Sequence, residues 1–137
     1  MTILDFKKYK NENKPISMIT CYDSWSAAII EDSDIDCILV GDSLAMTMHG
    51  YESTIPADTD LMALHTAAVR RGAPSSYIIG DMPFLSFRKG LVPAMENVEK
   101  LMRAGANAVK LEGVDGHKEI ISYIVESGVP VMGHIGL

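Results

Sequence analysis

A short apolar run followed by a longer amphipathic run recurs along this chain, and that alternation constrains the fold more than any other feature. Five runs have the apolar character of strands, and the four segments between them have the spacing of amphipathic helices. Such alternation predicts a parallel sheet with helices packed on it. The predicted strands are 16–22, 36–42, 76–82, 107–113 and 129–135, and the predicted helices are 23–33, 58–71, 92–104 and 117–127.

Three of the predicted helices end on a glycine that is followed within a few residues by the next strand. These glycines are Gly72, Gly105 and Gly128. A glycine just past a helix can adopt a positive φ without a Cβ clash, so we expect this conformation at all three.

The helix predicted at 58–71 has the clearest pattern. Asp58 is the expected N-cap, and Leu61, Leu64 and Ala68 are spaced to form its apolar face.

The predicted strands are nearly continuous apolar runs, as expected where both faces of a sheet are buried. Five βα units fit either a doubly wound sheet or part of an eight-stranded barrel. The turn after the first strand is CYDSWS, and the chain has no G-x-G-x-x-G, Walker loop or nucleophile elbow. A nucleotide-binding sheet is therefore disfavoured but not excluded.

Composition excludes several classes of function. The net charge is −6 over 137 residues, and the basic residues are scattered, which argues against nucleic acid as a partner. No apolar run approaches the ~20 residues that span a bilayer, and the N-terminus does not resemble a signal peptide. Cys21 and Cys37 form no CxxC pair. We expect two buried thiols in a reducing cytoplasm.

The stretch NAVKLEG, residues 107–113, is an apolar strand that carries two charges. Successive side chains of a strand point to opposite faces. Lys110 and Glu112 therefore share one face, and Val109 and Leu111 share the other.

Polar side chains cluster where the predicted strands end, and ligands bind at this carboxyl edge in parallel α/β folds. Three carboxylates meeting there would repel one another unless a cation lay between them. Mg²⁺ prefers hard oxygen ligands and needs only a few carboxylates, and Lys110 on the same face would hold an anionic substrate. The clustered residues are Tyr22, Asp23, Asp42, Ser43, Asp81, Lys110, Glu112 and His134.

Each of these residues also has a purely structural interpretation. Asp42 and Asp81 are spaced to form turns, and Ser43 to cap a helix or turn. Lys110 and Glu112 are close enough in sequence to form a buried ion pair with each other. His134, taken singly, is more typical of a hydrogen-bonded core histidine than of a catalytic group. We interpret the other histidines as surface or packing residues: His49, His65 and His117.

Several long motifs, from about Ile16 to Leu137, resemble ketopantoate hydroxymethyltransferases in sequence and order. They are VGDSLAMTMHGYESTIPAD, HTAAVRRGAP, GDMPF, MRAGANAVKLEG and GHIGL. The resemblance implies an α/β fold of the (β/α)8 TIM-barrel type, of which residues 1–137 form a single incomplete domain with about the first five units.

The resemblance also implies a reaction. The family transfers a hydroxymethyl group from 5,10-methylenetetrahydrofolate to 3-methyl-2-oxobutanoate and gives 2-dehydropantoate, in pantothenate and coenzyme A synthesis. Mg²⁺ stabilises the enolate in that reaction. The resemblance further implies a cytoplasmic homo-oligomer, a decamer in the family.

Site residues follow from the matching motifs. Asp42, Asp81 and Glu112 match the metal-site residues. Ser43 and Lys110, with the two aspartates, match the residues that bind the keto acid. Tyr22 and His134 match pocket residues.

The family's general base is a glutamate beyond Leu137, so that role is not assigned. A (β/α)8 barrel needs ~250 residues. We expect residues 1–137 to be a fragment without activity of its own, with unpaired edges and an exposed apolar inner face. The alternatives are a Mg²⁺-dependent lyase or mutase of the phosphoenolpyruvate mutase and isocitrate lyase type, or an inactive half-barrel that serves in assembly.

Overall fold

The computed structural model describes residues 1–136, and Leu137, the last residue of GHIGL and of the predicted domain, lies outside them. The fold is built on one sheet of five parallel strands paired in chain order. Each strand lies inside a predicted apolar run but is shorter than it. The strands are β1 (Met18–Thr20), β2 (Cys37–Val40), β3 (Tyr77–Asp81), β4 (Ala108–Glu112) and β5 (Val131–His134).

Within residues 1–136, six helices accompany the sheet. Four correspond to the predicted helices, and two, α1 and α3, were not predicted. The helices are α1 (Ile3–Asn11), α2 (Ser24–Glu31), α3 (Leu44–Thr47), α4 (Thr59–Gly72), α5 (Leu91–Arg103) and α6 (Lys118–Glu126). No helix within residues 1–136 combines the length and apolar character needed to cross a membrane.

The two faces of the sheet bury different sets of side chains. Ile78, Val109 and Leu111 pack in the main core with residues of the helices. Tyr77 and Ile79 point to the other face and join a smaller cluster, against which Phe6 and Met1 of the N-terminal segment pack. The Phe6 and Tyr77 rings lie 5.1 Å apart. Helix α1 therefore covers part of the inner face, and the expectation of an exposed inner face is wrong at β3.

Burial differs between central and edge strands. Every residue of β3 is buried, as the apolar run predicted. All three residues of β1 are exposed, because this strand pairs only with β2 within the described residues. The expectation of burial on both faces is thus wrong for β1. Cys21 and Cys37 are buried free thiols, as expected.

The apolar face assigned to α4 is partly wrong. Leu64 is 63% exposed, whereas Met62, Thr66 and Val69 are buried. The buried stripe has the same helical period but is shifted along the helix. It includes Thr66 because the Thr66 hydroxyl donates to the carbonyl of Met62 at 2.8 Å and so needs no other partner. The Asp58 N-cap is confirmed by its bond from the Leu61 N–H at 2.8 Å.

The three helix-end glycines do not share one role. Gly105 and Gly128 have φ values of +111° and +90°, as expected. Gly72 is the last residue of α4 and has no positive φ. A Cβ there would lie 2.1 Å from the carbonyl oxygen of Ser24. Gly72 is therefore required by the close approach of α2 to α4, and its predicted conformation is wrong.

Candidate active site at the carboxyl edge of the sheet

The polar residues selected from the sequence lie where neighbouring parallel strands end. Asp81 pairs in register with Lys110 across β3 and β4, and Glu112 pairs with His134 across β4 and β5. Asp42 follows β2 directly after Gly41. Lys110 and Glu112 share the face opposite to buried Val109 and Leu111, as the alternation within NAVKLEG predicted.

Asp81 is the buried centre of this edge, with 5% of its surface exposed. Its Oδ1 lies 2.5 Å from Nζ of Lys110, and its Oδ2 accepts a hydrogen bond from the N–H of Asp42 at 3.1 Å. Burial raises the pKa of Asp81, although the Lys110 ammonium opposes that shift. Both carboxylate oxygens are engaged with neighbouring strands, so the geometry does not support a local turn as the role of Asp81.

Ser43 and Tyr22 form a second contact at the same edge. The Tyr22 hydroxyl lies 2.7 Å from Oγ of Ser43. Ser43 occupies the N-cap position of α3, yet its side chain makes no capping bond. Its structural interpretation as a cap is therefore not supported, and the two hydroxyls are held beside Asp42 instead.

Behind Tyr22 lies a residue that the sequence analysis set aside. His65 of α4 places Nδ1 2.6 Å from the carbonyl oxygen of Tyr22 and Nε2 2.9 Å from Nε2 of His49. A carbonyl can only accept, so His65 Nδ1 donates. His65 and His49 thus tie α4, the loop after α3 and the end of β1 together. In the sequence, His65 is the first residue of HTAAVRRG, and its neighbours form no pattern that would have indicated its role.

Glu112 is paired differently from expectation. Its Oε1 lies 3.3 Å from Nδ1 of His134, and its side chain is 62% exposed. Lys110 pairs with Asp81 and not with Glu112, so the proposed Lys110–Glu112 ion pair is wrong. The reason is the register, since Asp81 lies directly across from Lys110 on the adjacent strand.

The acidic side chains at this edge form part of a possible magnesium site. Asp42 and Glu112 line one cavity of about 480 Å³, and Asp81 is fixed next to Asp42 by the main-chain bond. Among residues 1–136, no three His, Cys, Asp or Glu side chains are placed to hold a metal together. The two aspartates, as hard oxygen donors on adjacent strand ends, fit an ion that keeps several waters. Glu112 does not complete a three-carboxylate group in this structure.

Comparison with known proteins decides the family. The family model described as ketopantoate hydroxymethyltransferase matches residues 1–137, the whole chain. The chain belongs to this family. Proteins named 3-methyl-2-oxobutanoate hydroxymethyltransferase are similar to it throughout: one from Coxiella burnetii is 58% identical over 138 residues, covering 100% of this chain and 52% of the relative.

Further members show the same relation. A protein of that name from Bdellovibrio bacteriovorus is 58% identical, covering 99% of this chain and 52% of its own length. One from Legionella pneumophila is 53% identical, covering 100% of this chain and 53% of its own length. The chain thus spans about half the length of the curated family members that it matches.

Solved structures confirm the fold. A 2,3-dimethylmalate lyase, described as a phosphoenolpyruvate mutase and isocitrate lyase superfamily member, aligns with a TM-score of 0.67 at 15% identity, covering 95% of this chain and 51% of the other. A putative phosphonomutase from Burkholderia cenocepacia aligns with a TM-score of 0.68 at 19% identity, covering 88% and 52%. The chain is a partial TIM barrel of about five units. At these identities the likeness concerns fold alone and does not favour the lyase or mutase alternative.

Proposed function

We propose that this chain supplies the keto-acid and metal half of a hydroxymethyltransferase active site. The reaction transfers a one-carbon unit from 5,10-methylenetetrahydrofolate to 3-methyl-2-oxobutanoate and gives 2-dehydropantoate. The observation that carries this proposal is the Asp42–Asp81–Lys110 arrangement at the carboxyl edge, in which the buried Asp81 carboxylate contacts the Lys110 ammonium and accepts a hydrogen bond from the main-chain N–H of Asp42. It occurs in a chain of the ketopantoate hydroxymethyltransferase family.

Asp42 and Asp81 would hold Mg²⁺. Glu112, exposed on the far side of the same cavity, would reach it only through bound water. When bound, Mg²⁺ would polarise the keto group and stabilise negative charge on its oxygen. Asp81 is already engaged by Lys110, so occupancy of the site requires Lys110 to give up part of this contact.

Lys110 and Ser43 would bind the substrate carboxylate. An ammonium group forms short, charge-assisted hydrogen bonds with carboxylates. Lys110 released from Asp81 would find such a partner in the keto acid. Tyr22 would orient the Ser43 hydroxyl through their 2.7 Å contact. His134 would fix the Glu112 carboxylate at the cavity rim.

No residue of this chain is assigned as the base. Loss of the C3 proton leaves the substrate as a carbon nucleophile, which forms the new bond to the one-carbon unit of the donor. A water molecule supplies the hydroxyl oxygen of the product, and both carbon–nitrogen bonds of the methylene group break, so that tetrahydrofolate leaves. The chain's contribution is to bind and polarise the keto acid so that this proton becomes acidic. The free, buried cysteines support a reducing compartment, which we propose is the cytoplasm. Assembly as a homo-oligomer stays a prediction.

The direct test is hydrogen exchange at C3 of 3-methyl-2-oxobutanoate in deuterated water, followed by NMR. It uses the full product of the reading frame that encodes residues 1–137. We expect Mg²⁺-dependent exchange without any folate and its loss in Asp42→Asn. Exchange that proceeds equally without Mg²⁺ or in Asp42→Asn contradicts the proposal.

A further inference from the structure

The cavity at the carboxyl edge has a wall that the keto-acid site does not use. It is formed by residues of the loop between β3 and α5, residues 82–90, which line the same cavity as Asp42 and Glu112. Phe84 and Leu85 line this wall and remain 57% and 39% exposed. Large apolar side chains left exposed beside a polar site indicate a surface that receives a ligand.

The loop is held in its shape before any ligand arrives. Asn97 of α5 donates to the carbonyl of Ser86 at 2.7 Å, and the Met82 N–H donates to the carbonyl of Lys110 at 2.8 Å. Phe87 is buried beneath the loop. The exposure of Phe84 is therefore built in and does not result from a loose segment, which lowers the entropic cost of binding there.

Leu85 has a positive φ of +60°, a conformation that costs a leucine energy. A glycine would adopt it without strain, yet it would remove the side chain from the cavity wall. Strained backbone of this kind is concentrated at ligand sites. The strain at Leu85 is thus an observation independent of the exposure of Phe84.

One positively charged side chain lies in the same wall of the cavity. Among the described residues that line the cavity, Arg88 is the basic one, and its guanidinium lies 5.4 Å from the centre of the Phe87 ring. The one described hydrogen bond of the guanidinium, to the carbonyl of Glu112, is long at 3.4 Å. A Cβ on Gly113 would come within 3.0 Å of this guanidinium, so the glycine leaves it room. Arg88 therefore has donors available for an anionic ligand.

The cavity of about 480 Å³ falls in the range of sites for drug-sized ligands and exceeds what a five-carbon keto acid fills. We infer that the 82–90 loop is the docking site of the one-carbon donor, with Phe84 and Leu85 against its reduced pterin ring and Arg88 on its glutamate carboxylate. This inference rests on the proposed function and adds the donor subsite to it. An aromatic face and a cation beside the acids match a flat heterocycle with an anionic tail.

The test separates the donor subsite from the keto-acid site. Phe84→Ala and Arg88→Gln are made in the full reading-frame product, with Tyr123→Ala and Arg71→Gln as exposed controls outside the cavity and outside the loop. We expect both test variants to raise the KM for the donor by roughly tenfold, as expected for loss of one stacking or charged contact. The Mg²⁺-dependent exchange at C3, which needs no donor, stays within about twofold, and the controls change neither quantity.

A second measurement assigns the two ends of the donor. Calorimetry compares binding of tetrahydrofolate with binding of 6-methyltetrahydropterin, which lacks the tail. Phe84→Ala should weaken both ligands, and Arg88→Gln only tetrahydrofolate. Unchanged donor KM in both variants, with exchange intact, overturns the inference and leaves the proposed function standing. Absence of exchange in the unsubstituted protein overturns the proposed function and the inference with it.

Discussion

At the scale of single residues, the site depends on which ion-pair partner each charged side chain has. Asp81 is 5% exposed, and Lys110 is the cation that compensates it. Burying a carboxylate without a partner is costly, whereas a paired one is tolerated. The pair therefore offsets part of the cost of burying the Asp81 carboxylate.

Replacing Lys110 by methionine tests this role. We expect Lys110→Met to lower the free energy of unfolding by about 3 kcal/mol at pH 7, because Asp81 loses its counter-ion. The double variant Lys110→Met with Asp81→Asn should recover most of that loss. Urea denaturation of these three proteins measures both quantities. Equal stability of the wild type and Lys110→Met would show that the ion pair has no such role.

His65 should act through Tyr22. An asparagine at position 65 can present its amide N–H near the position of Nδ1, whereas a glutamine reproduces Nε2. We expect His65→Asn to preserve keto-acid affinity and His65→Gln to weaken it roughly fivefold, because one hydrogen bond to the Tyr22 carbonyl is lost. Calorimetric titration with Mg²⁺ present compares the two. Equal affinity in both variants would refute a positioning role for His65.

At the scale of elements, the start of β2 is tied to the segment before β1 by one carboxylate. Oδ2 of Asp36 accepts from both the N–H and the hydroxyl of Ser17, each at 2.8 Å. These two bonds, the main-chain one first, lower the pKa of Asp36. A lowered folded-state pKa stabilises the fold above the ordinary value of 3.8, and this contribution is lost as the pH falls through the folded value.

The substitution Asp36→Asn keeps the shape of the side chain and removes its negative charge. We expect it to lower the free energy of unfolding by about 1 kcal/mol at pH 7, with the difference from wild type shrinking as the pH falls below 3.8. Asp34→Asn, an exposed neighbour, is the control and should leave stability unchanged at both ends of the range. A difference that grows in acid would contradict the assigned cause.

Gly72 fixes the contact between α2 and α4. We expect Gly72→Ala to cost about 1–3 kcal/mol, because the new methyl would overlap the Ser24 carbonyl. Gly133→Ala is the matched control, since Gly133 has no positive φ and nothing within 4 Å of the added Cβ. It should be neutral or slightly stabilising. Thermal unfolding of both variants measures their stability. Similar losses of stability in the two variants would argue against a steric role for Gly72.

The elements were predictable where one physical signal dominated. Apolar runs located all five strands, and glycine and Asp58 located helix boundaries. Helix α1 was missed because it buries no residue of its own and has little apolar pattern, although the Thr2–Asp5 capping box marked its start. The pairing of Lys110 with Asp81 could not be predicted, because strand register depends on packing of the whole sheet.

At the scale of the whole molecule, the alternation of strands and helices brings the carboxyl ends of the five parallel strands to one edge of the sheet. That order converts residues far apart in sequence, such as Asp42 and Glu112, into walls of a single cavity. The family resemblance indicated which of these residues belong to the candidate site. The metal, keto acid and donor assignments depend on chemistry at this edge and are tested there.

The most direct measurement is a calorimetric titration of 3-methyl-2-oxobutanoate into this chain, with and without Mg²⁺, for the wild type and Asp42→Asn. We predict binding heat only when Mg²⁺ and Asp42 are both present, because in the proposed site the two aspartates hold the ion to which the keto acid binds. Binding of equal affinity without Mg²⁺, or unchanged binding in Asp42→Asn, would contradict this prediction.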